Sequence, residues 1–259
     1  MALRSREDLL LEVARTVRSA RHVVALTGAG VSVESGIPDF RSPGGLWAVF
    51  DPQEYATLTC FLEDPEKGWR LYRALGRSIA GREPNGAHRA LAELAGIEGE
   101  SRLRGIVTQN VDGLHQKAGS RAVYEIHGNH GELQCLRCGH VEPFLEAHLE
   151  PGPVPSCPAC ARPLKPNVVL FEEGVRQMRE IEALLWNCDL LIVAGTSAEV
   201  YPASMLPEGV IFRRGSVLEF NLGPTRLTAQ GLGLKGALIE GPVGETLPAL
   251  VDAVRALTA

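Results

Sequence analysis

Short apolar runs recur along the chain and are separated by longer stretches with helical periodicity. The runs lie at 22–27, 105–109, 123–126, 167–171, 190–195, 217–220 and 237–241. Several are apolar at consecutive positions, as in parallel strands that helices cover on both faces. Helices are predicted at 6–20, 86–96 (capped by Asn85), 174–187 and 244–257. This alternation predicts an α/β fold with a doubly wound parallel sheet, whose ligands bind beyond the carboxyl ends of the strands.

Two segments interrupt the alternation. Residues 131–165 hold four cysteines and a proline-rich stretch, and are expected to form a small separate module. Residues 43–84 are aromatic and partly helical. The opening residues are charged and lack the apolar core of a signal peptide, and no apolar run reaches the roughly 18–20 residues of a membrane span. We therefore expect a cytoplasmic protein that does not enter a membrane.

The charge balance restricts the classes of partner. The 259 residues carry a formal net charge of −5, and the isoelectric point is about 5.8. A general nucleic-acid binder needs a basic surface, so we expect no direct nucleic-acid partner. A lysine-rich protein partner is compatible with the acidic balance.

The cysteine spacing predicts a metal site. Two Cys-x2-Cys pairs, Cys135 with Cys138 and Cys157 with Cys160, are separated by eighteen residues. This spacing is typical of a tetrahedral four-thiolate zinc site, and four thiolates leave no position for water, so the zinc would be structural. The alternative is two unrelated turn-forming pairs. A nucleic-acid-binding zinc ribbon is disfavoured because the module has few basic residues.

The run at 22–27 ends in a glycine-rich loop. Gly28 and Gly30 would let backbone N–H groups approach a pyrophosphate at a helix N-terminus. The dinucleotide fingerprint also requires a glycine three residues later, where this chain has Val33. A hydride-transferring dehydrogenase is therefore disfavoured, and a simple tight turn stays an alternative.

The segment after this loop places an acid, an aromatic ring and a guanidinium in sequence. Arg41 could pair with a phosphate, and Phe40 could cover a flat ring or a sugar face. The alternative is a surface pair between Asp39 and Arg41 with Phe40 in the core.

Polar residues also follow other predicted strands. Gln109, Asn110 and Asp112 suit sugar hydroxyls and a carboxamide, although Asn110 and Asp112 could also be turn or cap residues. His127 follows the run at 123–126, has a glycine beside it and is the best candidate for a general base. Two more strands end in residues that suit the ribose or phosphates of a nucleotide. One is followed by Gly195 and the hydroxyl residues Thr196 and Ser197, and the other ends at the amide residue Asn221.

The order of these motifs resembles that of the sirtuins, the NAD-dependent protein lysine deacylases. The matching stretches are "GAGVSVESGIPDFRSPGGLW", "TQNVDGLH", "HG", the two cysteine pairs, "NVVLFEE", "GTS" and Asn221, and they cover about 20–255. The resemblance implies a Rossmann-like NAD-binding domain at 1–130 and 166–259, in which 43–84 contributes to the cofactor loop and acyl pocket. It implies a zinc-binding domain at 131–165, with NAD and acyl-lysine meeting between the two domains.

The resemblance also implies residue roles. The cofactor-binding set would be Gly28, Ala29, Gly30, Asp39, Phe40, Arg41, Trp47, Gln109, Asn110, Val111, Asp112, Gly195, Thr196, Ser197, Asn221 and Val243. Trp47 would lie in a mobile loop over NAD, and Asp112 near the carboxamide. Asn110 and His127 would be catalytic. The acyl oxygen would attack C1′ of the nicotinamide ribose and expel nicotinamide, His127 would take a ribose hydroxyl proton, and water would finally release lysine and O-acyl-ADP-ribose.

The acyl pocket implied by the resemblance departs from the branch that removes succinyl and malonyl groups. That branch has a tyrosine and, three residues later, an arginine. Here Tyr72 and a roomy Ala56 are present, but the arginine position is Leu75. Because a buried carboxylate without its guanidinium is costly, we expect acetyl and longer apolar acyl groups to be preferred. Val169 and Phe171 would line the lysine channel.

Three further expectations stay open at this point. Glu172 stands where the family has glycine, and would either favour basic residues beside the target lysine or be a solvated edge charge. A desuccinylase or demalonylase, and a protein ADP-ribosyltransferase, are alternative activities. A non-enzymatic zinc-dependent binding module would leave the polar strand ends unexplained.

Overall fold

A six-stranded parallel sheet forms the centre of the large lobe in the computed structural model, which describes residues 6–97, 103–229 and 238–257. Its spatial order is β3-β2-β1-β7-β8-β9, and neighbouring strands pair in parallel throughout. The strands are β1 (Val23–Thr27), β2 (Leu103–Thr108), β3 (Val123–Glu125), β7 (Leu190–Ala194), β8 (Ser216–Asn221) and β9 (Leu238–Glu240). The order reverses between β1 and β7, and this switch point is where such sheets bind their ligands.

Both faces of this sheet are buried, which explains why its strands are apolar at consecutive positions. Along β1, Val23 and Ala25 pack on one side and Val24 and Leu26 on the other. The first side is covered by α1, α6 and α11, and the second by α8 and α9. The prediction of a doubly wound parallel sheet is confirmed.

The helices are α1 (Arg6–Ser19), α2 (Gly30–Val33), α3 (Pro52–Tyr55), α4 (Leu58–Glu63), α5 (Pro65–Ile79), α6 (Gly86–Leu94), α7 (Leu114–Lys117), α8 (Met178–Trp186), α9 (Leu206–Phe212), α10 (Arg226–Ala229) and α11 (Val243–Ala256). Four of them correspond to the predicted stretches, namely α1, α6, α8 and α11, and α8 begins four residues later than predicted. Asn85 caps α6 as expected, since its side chain accepts a hydrogen bond from Ala87 N. Among the described residues, no helix combines the length and apolar character needed to cross a membrane.

A second, three-stranded sheet lies between β3 and β7 in the chain. It is antiparallel, has the order β5-β4-β6, and consists of β4 (Gly128–Cys135), β5 (Val141–Pro143) and β6 (Leu164–Val168). The sheet extends three residues beyond the predicted 131–165 module on each side.

The interruption at 43–84 packs mainly against this second sheet. Trp69 and Tyr72 of α5 share one buried cluster with Leu133 and Leu164 of the sheet, and Trp69 Nε1 donates to Leu164 O at 2.8 Å. The two interruptions of the sequence therefore form a single small lobe, which is larger than the cysteine module alone.

The run at 167–171 differs from its predicted place among the strands. Only its first residues belong to β6, which pairs antiparallel with β4. Beyond Val168 the chain stays extended but bonds elsewhere, because Val169 N donates to His127 O and Phe171 N to Ala56 O. An apolar run alone cannot distinguish a sheet strand from an extended segment that lines a cleft.

Candidate active site

The glycines of the first loop allow two strand ends to approach each other closely. Gly30 N donates to Gly195 O at 2.8 Å, and a Cβ atom built on Gly30 would lie 2.8 Å from that same oxygen. Gly195 has a φ of +59°, and a Cβ there would lie 2.4 Å from Val31 N. Side chains at these two positions would force apart the loops that follow β1 and β7, so the glycines permit the close approach of these loops at the switch point.

Gln109 connects the ends of three strands. Its backbone N–H donates to Thr27 O at 2.9 Å, and its Nε2 donates to Thr196 Oγ1 at 2.9 Å. Asn221, at the end of β8, donates to Thr196 O at 3.1 Å and to Glu219 Oε1 at 3.0 Å. The structure thus brings these three predicted polar residues to one edge of the sheet.

Asn110 and Asp112 are held by a residue that the sequence analysis missed. Asn110 Nδ2 donates to Ser32 Oγ at 2.9 Å, and Ser32 Oγ donates to Asp112 Oδ2 at 2.7 Å. The other Asp112 oxygen accepts from the N–H of Leu114, the first residue of α7, at 2.9 Å. Asn110 and Ser32 are buried. Ser32 lies within the glycine-loop motif, so its place two residues after Gly30 was the signal that could have identified it.

Two buried histidines lie beneath this group. His115 Nε2 is 2.9 Å from Thr27 Oγ1, and the rings of His88 and His115 have their centroids 4.8 Å apart. Burial lowers the pKa of His115 to about 3 and that of His88 to about 4, so both are neutral at pH 7. Their role is to fill the base of the crevice with uncharged rings.

The Asp39–Arg41 segment folds into a turn beside the crevice. Asp39 Oδ1 accepts from Arg41 N at 2.9 Å and from Ser42 N at 2.7 Å. Partial burial raises the pKa of Asp39, but the hydrogen bonds from Ser42 and Arg41 outweigh it and lower the pKa below its usual value. Asp39 therefore shapes this turn through backbone contacts, and the expected alternative of an Asp39–Arg41 side-chain pair is not what holds it.

Phe40 and Trp47 form the aromatic part of this loop. Their ring centroids lie 5.1 Å apart, and Trp47 N donates to Phe40 O at 2.9 Å. Both rings are half-buried, so Phe40 does not belong to the core as its alternative reading required. Together with Arg41 they line the mouth of the cleft.

His127 lies at the bottom of the cleft, where the two lobes meet. Its Nδ1 is 3.1 Å from Gln109 O. Because a carbonyl oxygen can only accept, the Nδ1 atom carries the proton and Nε2 is left as the basic nitrogen. Burial lowers the pKa of His127, and the bond to Gln109 O only partly offsets this shift. A neutral histidine with a free Nε2 suits a general base at neutral pH.

The cleft between the lobes has a volume of about 660 Å³. Residues of both predicted groups line it, namely Phe40, Arg41, Trp47, Ala56, Tyr72, Leu75, Gln109, Val111, His127, Val169 and Phe171. A recess of about 20 Å³ adjoins it and shares Phe40, Leu46, Leu75 and Val111 with it. Ala29, Asn110 and Asp112 line this recess.

Some predicted residues lie away from the cleft lining. Ser197 is exposed next to Thr196, and Asn221 acts through its bond to Thr196. Val243 is buried at the start of α11 and packs in the large core. Lining residues that the sequence analysis missed include Met178, Glu182 and Tyr201, which follow no motif and are brought to the cleft by the packing of α8 and the loop after β7.

A buried ion pair supports the extended segment after β6. Lys165 is fully buried, and its Nζ lies 3.0 Å from Glu173 Oε2 and 2.6 Å from Val168 O. The same Glu173 oxygen accepts from Leu170 N at 2.8 Å. Lys165 lies in a strand that mixes apolar and polar residues, and nothing in this pattern indicates that the lysine is buried or that Glu173 is its partner. The sequence therefore did not predict this ion pair.

The four cysteines converge as their spacing predicts. Cys135 and Cys160 have their sulfur atoms 3.5 Å apart, those of Cys138 and Cys157 are 3.6 Å apart, and all four lie within 4.8 Å of one another. Sulfur atoms on a tetrahedral zinc would be separated by about 3.8 Å. The cluster fits one zinc ion, and its closed four-sulfur shell fits a structural role.

Comparisons with known proteins agree with this geometry. Residues 28–202 match the model of the Sir2 family. The chain is 42% identical over 247 residues to a protein named NAD-dependent protein deacylase 2 from Pyrobaculum aerophilum, and the match covers 95% of this chain and 96% of the relative.

Solved structures give the same result for the fold. A Sir2 homologue solved as a complex with NAD has a TM-score of 0.87 and 38% identity, and the match covers 96% of this chain and 94% of the other. The structure of Sir2Af2 bound to a myristoylated histone peptide has a TM-score of 0.79 and 32% identity, with coverage of 97% and 98%.

Proposed function

The chain belongs to the Sir2 family, and from this premise we propose that it removes acetyl and longer apolar acyl groups from protein lysines with NAD as co-substrate. The single observation that carries the acyl preference is the character of the pocket wall. Ala56, Leu71 and Leu75 line the small-lobe side of the cleft and are all buried and apolar. A wall of this kind stabilises an apolar chain by removing its surface from water.

A second observation supports the preference for apolar over acidic acyl groups. Leu75 occupies the position where a carboxylate-binding arginine would lie, and the neighbouring arginines are engaged elsewhere. Arg73 donates to Gly152 O at 2.7 Å and lies over the Trp69 ring, and Arg77 donates to Leu149 O at 2.5 Å. The carboxylate of a succinyl group would therefore enter the pocket without a guanidinium at position 75 and without Arg73 or Arg77 as its partner, at a cost of several kcal/mol.

Tyr72 does not change this conclusion. Its hydroxyl is buried and has no hydrogen-bond partner among the described residues, and burial raises its pKa so that it stays protonated. One neutral hydroxyl offers far less to a carboxylate than a bidentate guanidinium.

The residues of the cleft have separable tasks in the reaction. NAD would lie along the edge formed by Gly28, Gly30 and Thr196, with its carboxamide towards Asp112. His127 Nε2 would accept the proton of a ribose hydroxyl. Expulsion of nicotinamide develops positive charge on the sugar, so the protein's contribution is to orient the groups and exclude water. Phe40 and Trp47 cover the mouth of the cleft and suit the second task.

The proposal also includes one structural zinc ion and a cytoplasmic location. One zinc ion on Cys135, Cys138, Cys157 and Cys160 would hold the small lobe together. Four thiolates gathered for a metal are typical of a reducing compartment, which supports a cytoplasmic location. Proteins bearing acyl-lysine are the proposed partners, and the acidic net charge favours these over nucleic acids or membranes.

A panel of peptides tests this proposal. One sequence would carry acetyl, octanoyl, succinyl or malonyl lysine, and nicotinamide release and lysine deacylation would be measured together. We expect kcat/KM to be at least tenfold higher for acetyl and octanoyl than for succinyl lysine. Faster succinyl or malonyl removal would establish the desuccinylase alternative. NAD labelled in its ADP-ribose part tests the ADP-ribosyltransferase alternative. The label would end on protein in an ADP-ribosyltransferase and on O-acyl-ADP-ribose in a deacylase.

A further inference from the structure

Glu172 has a backbone conformation that favours glycine. Its φ is +76°, in the left-handed region where side chains are rare. The segment from Val169 to Glu172 lines the cleft on its small-lobe side. A residue with a long side chain persists in such a conformation when the surrounding contacts determine it, so the contacts of Glu172 indicate why it is there.

The carboxylate of Glu172 is bound to the first turn of α4. Its Oε2 accepts from Thr59 N at 3.0 Å and from Thr59 Oγ1 at 2.8 Å. Thr59 is the second residue of α4, where backbone N–H groups have no partner within the helix. Glu172 is exposed, and its carboxylate has a partner within the chain that neither expectation from the sequence included.

The neighbouring backbone groups complete the same contact. Leu58 N donates to Phe171 O at 3.0 Å, and Phe171 N donates to Ala56 O at 2.9 Å. Ala56 and Phe171 both line the cleft. The Glu172–Thr59 contact is therefore next in sequence to the backbone hydrogen bonds that join Ala56 and Leu58 to Phe171. These bonds connect the proposed acyl pocket to the proposed lysine channel.

We propose that Glu172 is a positioning residue that clamps the 169–172 segment to α4 and so fixes the wall formed by Ala56 and Phe171. The inference rests on the proposed function, because that wall is where the acyl-lysine would lie. The clamp would preorganise the channel before the peptide binds, which lowers the entropy lost on binding. It would also make Glu172 unavailable to basic residues of the substrate.

Three substitutions separate the parts of this proposal. Glu172→Ala removes the clamp and keeps the backbone strain, Glu172→Gly removes both, and Glu172→Gln keeps an acceptor for Thr59. We expect KM for an acetyl-lysine peptide to rise threefold to tenfold in the Ala and Gly variants, with kcat and the KM for NAD within twofold of wild type. The Gln variant should stay within twofold in KM. Glu63→Ala, at the other end of α4, is the matched control and should match wild type.

A readout independent of activity tests the contact itself. Hydrogen exchange of the Thr59 amide should be about tenfold faster in Glu172→Ala and unchanged in Glu63→Ala. Thr59→Val removes the hydroxyl donor and, as a single substitution, should raise the KM for the peptide. In the Glu172→Ala background the same substitution should cause no further rise in KM. If the wild type released no nicotinamide from any acyl peptide, the proposed function would be wrong, while the exchange result would still report on the clamp.

Two outcomes would overturn the proposal. Faster Thr59 exchange with an unchanged peptide KM would show that the clamp has no part in substrate binding. A selective loss of activity towards peptides with lysine or arginine beside the target in Glu172→Gln would show that the charge contacts the substrate instead.

Discussion

At the carboxyl edge of the large sheet, polar side chains are partners of one another, whereas the acyl wall on the opposite side of the cleft is made of apolar groups in simple contact. Asn110, Ser32 and Asp112 form a buried chain of hydrogen bonds. The side chains of Ala56 and Leu75 are apolar, buried and part of the cleft lining. Removing one of the hydrogen-bonded residues at the sheet edge leaves a buried polar group without its partner. A substitution in the acyl wall instead changes the volume and the polarity of the pocket. We therefore expect the edge to tolerate little substitution and the wall to set selectivity.

The largest effect is expected at His127. Because Nδ1 is bonded to Gln109 O, only Nε2 can take a proton, and His127→Ala removes it. The deacylation rate should fall by about 10²–10⁴-fold, with peptide binding preserved. Steady-state kinetics and peptide titration would measure this. A variant that kept more than a tenth of the wild-type rate would exclude His127 as the base.

Removal of the zinc ion should affect the two sides of the cleft differently. Cys135 and Cys157 lie in the same buried cluster as Trp69 and Tyr72, so a chelator should loosen the acyl wall. Hydrogen exchange should accelerate along α5 and β6 well before it does along β1. Equal acceleration in both lobes would contradict the shared small-lobe core.

Ser32→Ala tests the polar edge without touching the wall. It removes the donor to Asp112 and leaves the Asn110 amide buried without its acceptor, at a cost of about 1–3 kcal/mol. We expect kcat/KM to fall about tenfold to a hundredfold for acetyl and succinyl peptides alike. An effect confined to one acyl group would place Ser32 with the acyl wall instead.

Leu75→Arg tests the acyl wall without touching the polar edge, and it should affect acetyl and succinyl peptides differently. A guanidinium in the wall would pair with a carboxylate and disfavour an apolar chain, so the ratio of succinyl to acetyl activity should rise about tenfold. Comparing kcat/KM for the two peptides gives this ratio, and Leu75→Met serves as the matched apolar control. An unchanged ratio would mean that Leu75 does not contact the acyl end.

The smallest expected effect is the pH dependence of the base. Burial lowers the pKa of His127, and in its proposed role as general base the neutral form would be the active one. Activity should therefore persist as the pH falls below 6.5, the usual pKa of histidine, and be lost only through the lowered value. The acidic limb of kcat/KM against pH measures this. A limb centred above pH 6.5 would contradict the assignment.

Much of the fold could be predicted from the sequence because it depends on local patterns. Runs such as 22–27 and 190–195 are apolar at consecutive positions since both faces of their sheet are buried, and the cysteine spacing fits one tetrahedral ion. The strand-end residues were also visible, because parallel strands place their carboxyl ends at one edge. The run at 167–171 was less clear, since the pattern is the same for a strand and for an extended cleft segment.

By itself, then, the sequence determined the sheet, the four-cysteine cluster, the candidate base His127 and the polar groups at the strand ends. Tertiary structure alone decided which of them bind one another. The contact of Asn110 with Ser32 and the bond from Thr59 to Glu172 join residues that are distant in the chain, and the pairing of Lys165 with Glu173 depends on the burial of both side chains. The physical reason is that a hydrogen bond depends on distance and direction in space, and these are fixed only when the chain packs into its tertiary structure.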